Sequence, residues 1–308
     1  MAQAIETMTH SELARSLEGN FTSHHADVNG VRLHYVTGAQ GEPLVLLGGW
    51  PQTWWQFHKI MPALARDYRV IAVDLRGMGG SSKPRAGYDK KTMAQDIREL
   101  VRRLGHETVN IAGHDIGAMV AQAFAANHPE TTRKVVLLDV YHPDETFTAM
   151  TLLPSPAQHA DGDITAGSAP YLWWFAFNQV RGLPEKLLQG RTREMFDSIF
   201  DQMLHDPGSI DSATRQVYAR AYDSPDAIRA GNAWYQAFHQ DIEDAKGYGP
   251  LAVPVLVLGG EHSIFSVLAA VMPGKGRDVR VAEVKGSGHY LPEEQPETVA
   301  RHLAGFFG

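Results

Sequence analysis

Short apolar runs with little polar alternation recur at residues 44–47, 70–73, 109–112, 135–138, 253–258 and 279–284. Runs of that length without a polar face mark strands buried on both sides. Helical patterns lie between them, notably over 92–104 and 116–127, and a last helix is predicted over 296–307. Strands alternating with helices imply crossover units and a mostly parallel central sheet flanked by helices. Ahead of this region, residues 1–20 read as a polar helical lead-in. Asn29-Gly30 is a hairpin signal leading into the β-rich run 31–36.

From about His142 to Gly249 the buried-strand runs stop and helix signals replace them, including Ser224 as an N-cap with Pro225 at the first helical position. Because strands recur on both sides, and one sheet needs all of them for its core, an insertion is preferred to a separate second domain. The expected organisation is an α/β core over 1–141, a helical cap over 142–249 and the rest of the core over 250–308.

Composition narrows the function. The 308 residues are 44 % hydrophobic and 20 % charged, ordinary usage for a chain that folds. With 28 basic against 35 acidic side chains the net charge is −7, so no basic field exists to hold nucleic acid or anionic lipid. Zero cysteines exclude disulfides, thiolate metal sites and a cysteine nucleophile. The first residues lack a basic and apolar leader, and no apolar run approaches a membrane span, so a cytoplasmic protein is expected. A small-molecule substrate is the expected partner, with a homodimer left open.

Gly113-His114-Asp115-Ile116-Gly117 follows a predicted strand and opens a predicted helix. That is the strand, sharp turn, helix setting of a G-x-S-x-G nucleophile elbow, with Asp in the Ser position. The competing reading, Asp115 as a plain helix N-cap, leaves the two flanking glycines unexplained. A carboxylate is already ionised near neutral pH and needs no base to activate it. Attack on an ester or amide carbonyl would give an anhydride, whereas attack on a saturated carbon gives an ordinary alkyl ester. The chemistry therefore points to an epoxide or an organohalide.

With these residues in view the chain resembles the α/β-hydrolase family, in the branch of epoxide hydrolases and haloalkane or haloacid dehalogenases, over roughly residues 27 to 308. Gly48-Gly49-Trp50-Pro51 resembles that branch's H-G-x-P loop, with Gly48 where His is usual, and residues 74–81 resemble its G-x-G-x-S turn. The resemblance implies an oxyanion hole from the backbone N–H groups of Trp50 and Ile116. Gly286-Ser287-Gly288-His289 matches the family's G-H loop and implies that His289 is the base, with His262 its nearest rival among 15 histidines. Where the family's usual acid stands after the seventh strand this chain has Ser263. The acid is therefore expected at Asp139, at the end of the sixth strand, with Glu261 as the alternative.

The cap segments around Trp173, Trp174 and Tyr235 resemble those that supply leaving-group donors, with Tyr218 and Tyr222 as other cap tyrosines. All six tryptophans fall in the Trp50 loop or the cap and are expected to line one aromatic pocket. Packing is the commoner role for such rings, and adjacent helical positions point about 100° apart, so Trp173 and Trp174 need not both face inward. The resemblance implies an epoxide hydrolase that needs no cofactor; no metal-ligand spacing occurs. A dehalogenase is the alternative, disfavoured by Ile116 where haloacid enzymes of the family carry Arg. A catalytically silent ligand-binding or biosynthetic protein is the alternative of another class.

Overall fold

The computed structural model describes residues 4–150, 153 and 172–308. Eight strands form one sheet: β1 Thr22–Val28, β2 Val31–Gly38, β3 Glu42–Leu47, β4 Tyr68–Asp74, β5 Val109–His114, β6 Thr132–Leu138, β7 Val255–Gly260 and β8 Val279–Val284. Their order across the sheet is β1-β2-β4-β3-β5-β6-β7-β8. The first hairpin is antiparallel and β2 pairs antiparallel with β4, while every later pair is parallel. Asn29 and Gly30 both have positive φ in the β1–β2 turn, the geometry a two-residue hairpin asks for.

The apolar runs are buried as expected in β3 to β7, but β8 is an edge strand and only half-buried along most of its length. The lead-in is also shorter than expected, one turn at Ile5–Thr7 and a helix His10–Ser16 capped by Thr9 with Glu12 closing a capping box. The helix Ile116–Asn127 is apolar on nearly every side and buried from Ile116 to Ala125, because it packs against the sheet and against the helix Lys90–Arg103. The helix Lys90–Arg103 is amphipathic, burying Met93, Ile97, Leu100 and Val101 along one stripe.

Between β6 and β7 the described residues form no strand; they contribute helices including Trp173–Gln179, Thr192–Met203, Ser212–Ala221, Pro225–Gln236 and Phe238–Ala245. Ser224 caps its helix as predicted, accepting from the Ala227 N–H. Among the described residues no helix is long and apolar enough to cross a membrane.

The strand order reverses between β3 and β5, each of which is a neighbour of the other while continuing in opposite directions across the sheet. Ligands of open parallel sheets bind beyond the carboxyl ends of the strands at such a switch point. The loop after β3 carries Trp50 and the turn after β5 carries Asp115.

Candidate active site

Asp115 occupies the turn with φ +53° and ψ −124°, a strained conformation for a residue with a Cβ. Its neighbours explain how the turn is reached. A Cβ on Gly113 would stand 2.0 Å from the Gly117 carbonyl oxygen, and one on Gly117 would stand 2.0 Å from the Leu47 carbonyl oxygen. Strand, turn and helix thus close to a distance only glycine permits. Gly49 is constrained in the same way, because a Cβ there would meet the Asp115 side chain at 2.4 Å.

That approach brings the Trp50 N–H to donate to Asp115 Oδ1 at 2.8 Å, and the Ile116 N–H bonds the same carboxylate. Gly48, standing where the family has His, does not leave the loop loose: Gln56 Oε1 accepts from the Gly49 N–H at 3.0 Å. With Oδ1 held by the Trp50 amide, Oδ2 lies 3.7 Å from His289 Nε2.

The loop carrying His289 is tied down from several sides. Glu294 accepts from the N–H groups of Gly288 and Tyr290, each at 3.1 Å. The His289 N–H donates to the Met203 carbonyl, and the His289 carbonyl receives His114 Nε2 at 2.8 Å. His289 Nδ1 meets Asp139 Oδ2 at 2.8 Å. Asp139 ends β6 with φ +57° and is fully buried, and it also accepts from the Gly260 N–H at 2.9 Å and from the Ser263 hydroxyl at 2.5 Å. Glu261, the alternative acid, is elsewhere: it pairs with Lys285 and accepts from the Gly286 N–H at the surface. His262 stacks on His205 and does not touch the carboxylates.

Burial alone would push His289 down. Its bonds and attraction to Asp115 and Asp139 overcome that and raise its pKa to about 9. Burial would likewise raise Asp115, but the His289 charge and the Ile116 amide hold it below the usual carboxylate range. Burial dominates at Asp139 and raises it, with its three donors acting in opposition.

Above Asp115 and His289 lies a cavity of ≈ 60 Å³, several times what one water needs. Trp50, Trp174 and Tyr235 line it, and Trp50 meets the Tyr235 ring edge-on at 5.4 Å. Trp174 lies beside Tyr235, and its side chain favours the ionised form of that phenol. Among the described residues no Lys or Arg lines the space.

Other expectations need correction. Trp173 does not face the cavity, because its position lies about 100° around the helix from Trp174 and its indole donates to Gln202 Oε1 at 3.1 Å. The single aromatic pocket is not formed either. Trp54 donates to His10, Trp55 stacks on His58 and Trp234 donates to the Arg76 carbonyl, so these three are structural. Tyr218 and Tyr222 give their hydroxyls to Glu293 and to the Gln52 carbonyl. Tyr171, beside the cap aromatics, lies outside the described residues.

The cavity is also lined by Ser263 and by residues not singled out from sequence, among them Tyr290, Met203, Ile199 and Ile264. Tyr290 had a signal in its adjacency to His289; the aliphatic wall had none.

One group of potential metal ligands exists among the described residues, His10, His34 and Asp74. Their atoms already serve one another and the protein. His34 bonds Asp74 at 2.7 Å and Ser23 at 2.9 Å, and His10 accepts from Trp54. Asp74 further accepts from the N–H groups of Trp54 and Gly80, which fixes the turn after β4.

A family model described as alpha/beta hydrolase fold matches residues 42–296. The chain is 35 % identical over 288 residues to the soluble epoxide hydrolase of Corynebacterium sp. (strain C12), covering 93 % of this chain and 97 % of that one. It is 29 % identical over 294 residues to the fluoroacetate dehalogenase of Burkholderia sp., with 91 % of each chain covered. A solved structure of the epoxide hydrolase CorEH without ligand superposes with a TM-score of 0.82 at 32 % identity, over 94 % of this chain and 99 % of that chain.

Proposed function

This chain belongs to the α/β-hydrolase family, and from that premise we propose that it is an epoxide hydrolase. It opens a neutral, hydrophobic epoxide to a vicinal diol through an alkyl ester on Asp115, with residues 142–249 as the cap over the site. The observation that carries this reading is a carboxylate at the elbow held below the usual range, with Oδ1 accepting from the Trp50 amide and Oδ2 facing His289 Nε2 at 3.7 Å, in a cavity that Tyr235 also lines.

In the first step Asp115 Oδ2 forms a bond to an oxirane carbon, the C–O bond breaks, and the departing oxygen takes the Tyr235 proton. The Trp174 indole steadies the phenolate that remains. His289, protonated in the resting site, returns a proton to Tyr235 and becomes a neutral base. It then draws a proton from water, which adds to the ester carbonyl, and the oxyanion at Oδ1 rests on the Trp50 and Ile116 amides. Collapse of that adduct releases the diol, the last proton going to its leaving oxygen, and Asp115 and His289 are again charged. Asp139 orients the imidazole and stabilises its cationic form.

The dehalogenase reading is weaker here because Ile116 follows the nucleophile and no Lys or Arg among the described residues lines the cavity to hold a haloacid carboxylate. A silent ligand-binding fold leaves the strained Asp115 facing His289 unexplained.

A single turnover with excess enzyme in heavy-oxygen water tests the covalent route. The diol leaves nearly unlabelled and an Asp115 peptide carries the label. A labelled diol with an unlabelled peptide would mean direct attack by water. A panel of epoxides and halides, scored for diol and halide release, separates the three classes.

A further inference from the structure

Four tyrosines near the site are almost completely buried: Tyr218, Tyr222, Tyr235 and Tyr290. Buried hydroxyls find acceptors as a rule, since desolvation without a partner is costly. Tyr218 has the Glu293 carboxylate and Tyr222 has the Gln52 carbonyl. Tyr235 and Tyr290 differ, because both line the cavity over Asp115. The Trp174 side chain beside Tyr235 favours its ionised form, the form left when its proton is given up. Among the described residues the Tyr290 hydroxyl meets Met203 Sδ alone, at 3.9 Å, and a thioether is a weak acceptor.

Tyr290 cannot turn to a better partner. Its N–H is bound to Glu294 at 3.1 Å, and its ring is wedged edge-on against Phe200 at 5.0 Å and His289 at 4.9 Å. Tyr290 is therefore held in the cavity wall with its proton on a weak acceptor. The two phenols come from different elements, Tyr235 from the helix Pro225–Gln236 and Tyr290 from the loop after β8.

We infer that Tyr290 is a second catalytic donor, hydrogen-bonding the oxirane oxygen alongside Tyr235. The inference rests on the epoxide-hydrolase reading. Tyr235 transfers its proton to the departing oxygen. Tyr290 keeps its own and lends a hydrogen bond to the charge that develops before the transfer is complete. Burial and the nearby Asp115 charge oppose ionisation of both phenols, so each remains a donor through the neutral range. With donors on the cap and on the base-bearing loop, the oxygen is confined between two walls, and this selects which oxirane carbon faces Asp115.

The test is Tyr290→Phe, which keeps the ring and its packing, measured in single turnovers on styrene oxide with formation of the Asp115 ester as the readout. Alkylation is expected to slow on the order of 10²-fold, as for loss of one donor to a developing oxyanion, and the preference between the two oxirane carbons is expected to weaken. Placing 3-fluorotyrosine at 290 restores the hydroxyl and recovers the rate, which a purely structural ring would not require. Alkylation by Tyr290→Phe within about 2-fold of wild type, with unchanged carbon preference, overturns the inference. If Tyr290→Phe does not fold, 4-fluorophenylalanine at 290 replaces it, filling the place of the hydroxyl without a proton to donate, and alkylation within about 2-fold of wild type overturns the inference instead. A wild-type chain that forms neither ester nor diol from any epoxide overturns the parent reading, and the inference with it.

Discussion

Alkylation of Asp115 is expected to convert His289 from a cation into a base. In the free protein two carboxylates hold the imidazole at about 9 against the downward pull of burial, with Asp139 at 2.8 Å and Asp115 at 3.7 Å. Relative to an ordinary 6.5 that is about 2.5 units, or about 3 kcal/mol of preference for the charged ring. An ester on Asp115 carries no charge, so its share of that preference disappears while the burial penalty stays. The pKa therefore falls, and the neutral ring is reached at lower pH than in the free protein. The ester hydrolysis rate should therefore rise with pH to a plateau whose midpoint lies well under that of the free protein. Ester pre-formed with excess epoxide, then followed by quenched flow across pH 5 to 10, measures this midpoint, and NMR titration of the His289 ring gives the free value. A hydrolysis midpoint at about 9 or above would refute the reasoning, since the Asp115 charge would then not be what holds the proton. Stability gives a second check on the sign. A group whose folded pKa is raised contributes fully below its unfolded value and loses that contribution as pH climbs through the folded one. The melting temperature should therefore decline between about pH 6.5 and 9, and the decline should be shallower in Asp115→Asn.

His289→Gln should stall after alkylation, and intact mass spectrometry should find the chain heavier by one epoxide; an unmodified mass despite bound substrate would count against His289 as the base of the second step. Asp139→Asn should slow ester hydrolysis by several decades, as removal of a base's orienting carboxylate does, while Glu261→Gln should leave it near wild type; the reverse ranking would return the acid to β7. Tyr235→Phe should cut epoxide turnover on the order of 10²- to 10⁴-fold, and Trp173→Phe should cost little because that indole is bound to Gln202; equal losses from the two would mean that the cap turns Trp173 inward during catalysis.

Much of the scaffold was legible because its signals are local. A strand buried on both faces has no polar alternation, and a helix packed on every side, such as Ile116–Asn127, is apolar throughout. Asp115 was legible for a steric reason, since the flanking glycines are demanded by contacts of 2.0 Å with backbone oxygens. The cap was less readable. Whether Trp173 or Trp174 faces substrate depends on the rotation of one short helix, which is set by packing on residues distant in sequence. Trp54 and Trp234 were misplaced because an indole N–H serves a buried imidazole or carbonyl as well as a ligand, and Trp55 because its ring stacks on His58 instead. Tyr290 became notable only once Glu294, Phe200 and His289 were seen to hold its ring in place.

The position of the acid joins these two kinds of information. β6 and β7 are parallel neighbours with Leu138 opposite Leu258, so their carboxyl ends open onto the same point beside His289. A carboxylate after either strand can reach the imidazole, which is why sequence spacing alone leaves both open. The Asp139 carboxylate and the Ser263 hydroxyl are one hydrogen bond apart, so relocating the acid between strands requires no movement of the sheet. Ser263, where the family's usual acid would stand, donates to the same Asp139 oxygen that receives His289. A carboxylate buried away from water needs its lone pairs occupied to remain ionised. Here the Gly260 amide, the Ser263 hydroxyl and the His289 ring supply three partners, two from the end of β7 and the loop after it and one from the loop after β8.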